Sequence, residues 1–162
     1  MKILNSYEEL KEKHRQEFNK FPIQFAFSDE QFKEGMAKLG LTEKDTDKVI
    51  AVSDSGGFIR KTDVKAFNEM NRRHRQEEKD AINNDLTGDG YIKDMFAYEL
   101  ANHEYGYTYD LEDTLNALGL SIEEINNDNK LKHGLDLALN RYRENEEEEE
   151  LWVWVIKMLK QL

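Results

Sequence analysis

Glu99 and His103 are the two side chains whose types and spacing come nearest to chemistry in this sequence. Four residues apart on a helical pattern, they are neighbours on one face. A carboxylate beside an imidazole can hold a metal ion or pass a proton, with Asp94 as a third group. The same pair also makes an ordinary carboxylate–imidazole hydrogen bond, which is the commoner outcome. Their stretch, GDGYIKDMFAYELANHEY, is the densest mixture of aromatic, acidic and imidazole groups in the chain. It contains no HExxH pattern, because His103-Glu104 continues as Tyr105-Gly106. Just upstream, Asp85, Thr87, Asp89, Gly90 and Ile92 match positions 1, 3, 5, 6 and 8 of a calcium loop. Position 12, which should be a bidentate Glu, is Phe96. The expectation is no metal and no cofactor.

A second group is cationic. Lys61, Lys65, Arg72 and Arg75, followed by Lys79, recur at helical steps and make one basic stripe. Such a stripe is ordinarily a solvated face, and its functional alternative is a contact surface for RNA, DNA or an acidic protein. Together with Tyr98, Glu99 and His103, the first four of these cations are the candidate binding residues. The Gly56-Gly57 pair fits neither phosphate-cradling glycine pattern and reads as a hairpin turn.

The elements that must position these groups are legible from caps and periodicity. Ser6 with Glu9 has the form of a capping box, opening a helix with Tyr7, Leu10, His14 and Phe18 on one seam. His14 there reads as a packed or rim histidine. Pro22 ends that helix, and Phe21, Ile23, Phe25 and Phe27 alternate as a half-buried strand. Ser28 with Gln31 starts a helix that Gly40 closes. Lys48–Arg60 reads as two short strands. A long helix follows from Thr62 or Asp63 to about Ala81; its second half, NRRHRQEEKD, is polar all round and is expected to project into solvent. A short Tyr91-Ile92 run then leads into the helix of Glu99. The pattern LGL-[ST]-x-x-[DE] occurs twice, at LGLTEKD and LGLSIEE, the second with a Ser121–Glu124 capping box. The helix it starts is acidic where a DNA-reading helix needs Arg, Lys or Gln. A last amphipathic helix carries Leu135, Leu139 and Tyr142.

The fold expected is α+β: a mainly helical single domain over residues 1–143 with a small antiparallel sheet from Phe21–Phe27 and the Lys48–Arg60 hairpin. Residues 144–162 read as a Glu-rich lead-in and an apolar C-terminal helix. On that helix Trp152, Val155, Ile156 and Leu159 share a face suited to docking on the domain or to a homodimer. With 162 residues, 38% hydrophobic and 35% charged, the chain has room for one core beneath a very polar surface. Its net charge of −11 disfavours general binding to a phosphate backbone. Lack of cysteine excludes disulfides, thiolate catalysis and Cys-ligated zinc. No apolar run is long enough to cross a bilayer, so a cytoplasmic protein without membrane attachment is expected.

Three strings, EFNKFPIQFAFSDEQFKEGMAKLGL, GGFIRK and GYIKDMFAYELANHEY, resemble a family of small acidic uncharacterised proteins. Its members are carried by phages, mobile elements and genomes of low-GC Gram-positive bacteria. The resemblance spans Ser6 to Leu139 and is strongest at Phe25–Leu41 and Gly90–Tyr105. It implies no reaction and no cofactor. It implies a neighbourhood in which small acidic proteins inhibit host defence systems. The leading expectation is therefore a non-enzymatic protein-binding or accessory factor, an inhibitor of a host defence nuclease being the sharpest form. The competing expectations are a metal-assisted hydrolase using Glu99 and His103, and a structural protein that self-associates through its tail.

Overall fold

A computed structural model describes residues 5–53 and 55–142. The tail residues Trp152, Val155, Ile156 and Leu159, and the Glu-rich lead-in before them, lie outside the described residues. The chain is mainly helical with one three-stranded antiparallel sheet, the α+β class that its patterning predicts. It divides into two compact units, one from Met1–Leu10 with Lys79–Leu162 and the other from Lys11–Glu78. No helix among the described residues is long and apolar enough to cross a membrane.

Six elements contribute to the Lys11–Glu78 unit: helix α1 (Ser6–Lys20), strand β1 (Gln24–Phe25), helix α2 (Asp29–Lys38), strands β2 (Val49–Ala51) and β3 (Gly57–Arg60), and helix α3 (Val64–Asn84). Strand β3 is central, in the order β1-β3-β2, with Ile50 opposite Ile59 and Gln24 opposite Phe58. Helix α2 covers one sheet face. Met36, Leu39 and Phe58 are buried there, with Ala26, Phe32, Leu41 and Val49 packed around them. Gly35 permits this approach, since a Cβ at that position would lie 2.7 Å from the tip of the Phe58 ring.

The expected inward face of the first strand is reversed. Ala26 turns toward α2, while Phe25 is 44% and Phe27 76% exposed. Alternation states which residues share a face. The side on which α2 packs decides which of the two faces is buried. The strand is also shorter than Phe21–Phe27, because only Gln24 and Phe25 pair with β3.

In the other unit, helix α4 (Tyr91–Asn102) is the centre. Around it stand α5 (Tyr105–Thr108), α6 (Glu112–Leu118), α7 (Ile122–Asn127) and α8, which begins at residue 129 and runs through 142. Ile92, Phe96 and Leu100 are fully buried, and Met95, Leu115, Ile125, Leu131, Leu135, Ala138 and Tyr7 complete the core. Burial of such large side chains contributes about 1.5–3 kcal/mol each. Tyr91 and Ile92 are the first residues of α4, and both are buried. The extended Tyr-Ile run expected ahead of the helix is therefore absent. A two-residue β-branched or aromatic run has no strand to pair with here, and its burial favours the helix instead.

Two caps also differ from the sequence reading. At the start of α1, Asn5 Oδ1 accepts from the Glu8 amide at 2.9 Å, and Glu8 Oε2 accepts from the Asn5 amide at 3.2 Å. The box is Asn5–Glu8, one residue earlier than Ser6–Glu9. Asn caps as well as Ser does, and moving the start back frees the Ser6 hydroxyl to reach Asp94 at 3.4 Å. Of the two LGL repeats, only the second opens an α-helix, with both bonds of the Ser121–Glu124 box made. At the first, Asp45 accepts from the amide and hydroxyl of Thr42, closing a turn that leads to a short 3₁₀ segment.

Backbone packing in the α4 unit is closest where Gly88 meets α8. Gly88 has φ +87°, and an added Cβ would overlap the Lys130 carbonyl oxygen. Gly119, by contrast, ends α6 at φ +63° with open space around it. We expect Gly88→Ala to cost about 3 kcal/mol, combining strain with overlap, and Gly119→Ala about 1 kcal/mol. Urea unfolding of the two variants measures this; equal losses would refute the close approach.

Candidate functional site

Glu99 lies in the core, 2% exposed, instead of on an open surface. Tyr7 Oη donates to its Oε1 at 2.6 Å, Asn102 Nδ2 to its Oε2 at 3.4 Å, and His103 Nε2 stands 3.5 Å from the same oxygen. The structure thus brings Glu99 and His103 together, as their spacing predicts. Asp94, on a different face of α4, takes the Ser6 hydroxyl. Tyr98, four residues on from Asp94, shares that face of α4. It lines a cleft of about 440 Å³ with Asn5, Glu8, Ala97, Ala101, Asn102 and Arg141, and its ring meets Tyr7 edge-on at 5.5 Å. Neither Glu99 nor His103 lines this cleft. The carboxylate that looked most chemical is a buried acceptor that ties α1 to α4.

The Asp85 loop is likewise built around a carboxylate. Both Asp85 oxygens accept backbone amides, from Gly88 at 2.8 Å, Ile92 at 2.9 Å and Gly90 at 3.2 Å. Burial pushes this carboxyl up, but the amides of Ile92, Gly88, Gly90 and Thr87 together outweigh it and hold it below its ordinary value. Phe96, at the loop's twelfth position, is fully buried in the core. Among the described residues no three His, Asp or Glu side chains are arranged to hold a metal ion.

Within the Lys11–Glu78 unit, Lys61, Lys65, Arg72 and Arg75 are all exposed. Lys65 is paired loosely with Glu69 at 3.9 Å. The opposite face of α3 holds what the sequence reading missed. Its polar second half does not simply project into solvent, because His74 is packed on α1. The His14 and His74 rings stack with centroids 3.9 Å apart and planes 11° from parallel. His14 Nε2 meets Glu77 Oε2 at 2.8 Å, and His74 Nε2 meets Glu17 Oε2 at 2.8 Å. Lys13 bonds both Glu77 oxygens, Arg73 bonds Glu17, and Glu78 Oε1 lies 3.5 Å from His14 Nδ1. The signal was present as a tetrapeptide, His-Arg-Gln-Glu, that occurs at 14–17 and again at 74–77. Each histidine bonds the glutamate of the other copy. Polarity all round a helix does not distinguish solvent from a polar partner.

A second feature was also readable and overlooked. From Asp94 to residue 129 the chain has nine Asp and Glu residues and no Lys or Arg. Glu104, Asp110, Glu112, Asp113, Glu123 and Glu124 are exposed among α5, α6 and α7. Glu104 and Tyr109 bracket α5 with left-handed backbones, at φ 54° and 53°. Non-glycine residues in that region carry strain of about 1–3 kcal/mol each. In the same span Tyr107 is 88% and Tyr109 56% exposed, and Ile122 on α7 is 52% exposed.

The chain belongs to a family of unknown function, DUF7659, whose model matches residues 6–141. Neither a curated protein nor a solved structure matches it.

Two outcomes follow from these bonds. Tyr7→Phe removes the shortest donor to a buried carboxylate and should cost about 2 kcal/mol. A denaturation midpoint unchanged from the wild type would contradict that role for the hydroxyl. For Glu77, the hydrogen bond from Lys13 and then that from His14 lower the carboxyl from 4.5 to about 2. Glu17 is lowered too, first by its bond from His74. A carboxyl depressed in the folded state contributes stability above its unfolded value, and that contribution is lost as pH falls through the folded one. Wild-type stability should therefore decline between about pH 4.5 and 2, and Glu77→Gln should flatten the decline while lowering stability at pH 7. Urea midpoints across that range test this, and parallel curves for the two proteins would count against it.

Proposed function

We propose that this is a non-enzymatic binding protein that presents the acidic, tyrosine-bearing face of α5–α7 to a basic surface on a protein partner. The observation that carries the reading is the strained α5 turn. It holds Tyr107 and Tyr109 outward among six exposed carboxylates, in a span without one Lys or Arg. Strained backbone is held by the structure around it and clusters at functional sites. An uncompensated field of one sign steers a complementary partner and speeds its association, and exposed tyrosines are frequent anchors of interfaces.

Carboxylates and rings on one face resemble, in chemistry, the phosphates and bases of a nucleic acid. The partner that fits is a protein whose basic groove otherwise holds nucleic acid, such as a nuclease. In its most specific form the protein is an accessory or anti-defence factor of a phage or mobile element that occludes the groove of a host defence nuclease. The buried position of Glu99, bonded to Tyr7 inside the core, favours binding over hydrolysis.

The test is competition. Proteins captured on the wild-type chain are purified and assayed for binding to duplex DNA with and without it. Wild type should displace DNA in a salt-dependent way. The variant carrying Tyr107→Ala, Glu112→Lys and Asp113→Lys should lose at least about tenfold in affinity. A partner that binds DNA and this protein together, or that binds the variant equally well, would overturn the proposal.

A further inference from the structure

We propose that the cleft between the start of α1, α4 and the end of α8 is a binding site for a nucleoside monophosphate. All of its lining residues belong to the unit of Met1–Leu10 with Lys79–Leu162, and none of them is a carboxylate of α5–α7. The site is therefore distinct from the acidic face.

Its volume of about 440 Å³ falls in the range of cavities that hold small organic ligands. Asn5 and Glu8 line it from the start of α1, Tyr98 and Asn102 from α4, and Arg141 from α8, while Ala97 and Ala101 add only methyl groups. Bonds made elsewhere fix what each carboxamide offers. Asn5 Oδ1 is taken by the Glu8 amide, which leaves its NH₂ as the donor. Asn102 Nδ2 is turned to Glu99, which leaves Oδ1 as the acceptor. Among the described residues Arg141 has no carboxylate partner, and its guanidinium stands 6.0 Å from the centroid of the Tyr142 ring. The Tyr98 ring is packed edge-on with Tyr7, so this wall of the cleft is in place before a ligand arrives.

A ligand that satisfies this set carries an anion, a flat ring, and both a donor and an acceptor on the ring edge. A nucleoside monophosphate has all of them. Arg141 pairs with the phosphate through its guanidinium fork, and Tyr98 packs against the base. The Asn5 NH₂ and Asn102 Oδ1 meet an acceptor and a donor on the base edge. The Glu8 carboxylate favours a base with an exocyclic amine, since carboxylates accept from such groups. One cation in the lining suits one phosphate. Further phosphates would meet Glu8 and a chain of net charge −11 with no second cation to offset them. A free amino acid would engage Arg141 and Glu8 but fill only part of the cleft.

The experiment is a calorimetric titration of the full chain with the monophosphates of adenosine, guanosine, cytidine and uridine, and with the same nucleosides lacking phosphate. Saturable binding of one nucleotide per chain is expected below about 1 mM. Uridylate, whose base alone lacks an exocyclic amine, should bind most weakly. Arg141 is exposed, so Arg141→Gln leaves the core intact. It should weaken the nucleotides at least about tenfold and the nucleosides much less. Glu8→Gln keeps an oxygen for the helix cap and should narrow the gap between cytidylate and uridylate. Absence of saturable binding by every nucleotide would overturn the proposal. So would an Arg141→Gln variant that binds as the wild type does, or a chain that takes up free amino acids and no nucleotide.

Discussion

The carboxylate of Asp85 is the constraint on which the α4 unit depends. It gathers the amides of Gly88, Gly90 and Ile92, turns the chain sharply, and delivers Tyr91 into the first turn of α4. The Gly90 and Ile92 amides are among the donors that a helix start leaves without partners. Once α4 begins at Tyr91, Ile92, Met95, Phe96 and Leu100 fall on its buried sides, and Glu99 is carried into the core with them. Gly88 and Gly134 let the same turn approach α8 closely. A motif with the outline of a cation loop thus works as a helix cap, with backbone N–H groups filling the positions around the carboxylate.

Glu99 shows how the core handles an ionisable group it cannot avoid burying. A carboxylate removed from water is costly unless donors replace the water. Tyr7 and Asn102 supply them, and the Tyr7 ring meanwhile packs edge-on against Tyr91 and Tyr98. The side chain therefore does structural work: it holds the start of α1 against α4 with a directional bond that a plain apolar contact would lack.

The Lys11–Glu78 unit meets a different shortage. Its apolar cluster is small, with Met36, Leu39 and Phe58 at its centre. Between α1 and α3, the Phe18, Phe21 and Phe67 rings give way along the helices to imidazoles and paired charges. Polar packing of this kind depends on solution conditions in a way that aliphatic packing does not, because its partners titrate. The other unit carries its charges outward on α5–α7. Two ways of using a highly charged composition thus coexist in one chain: one interlocks opposite charges, and the other displays a single sign.

Much was determined by the sequence alone. The α+β class, the three strands, the helix ends at Gly40 and Gly119 and the Ser121–Glu124 cap were legible because each rests on local rules: turn glycines, caps and short-range periodicity. The Glu99–His103 contact was legible for the same reason, since four residues on a helix fix it. What lay beyond the sequence reading was everything set by the neighbour across a face. Alternation at Phe25 and Phe27 could not state which side α2 would cover. The polarity of residues 71–80 could not reveal that His74 faces His14, even though the repeated His-Arg-Gln-Glu was in plain view. Nor could the spacing of Glu99 show that Tyr7, 92 residues away in sequence, would bury and bond it. Local geometry is written in the order of residues, whereas burial is a property of what packs against them. The identity of a candidate site depends on burial, and only the tertiary structure decides it.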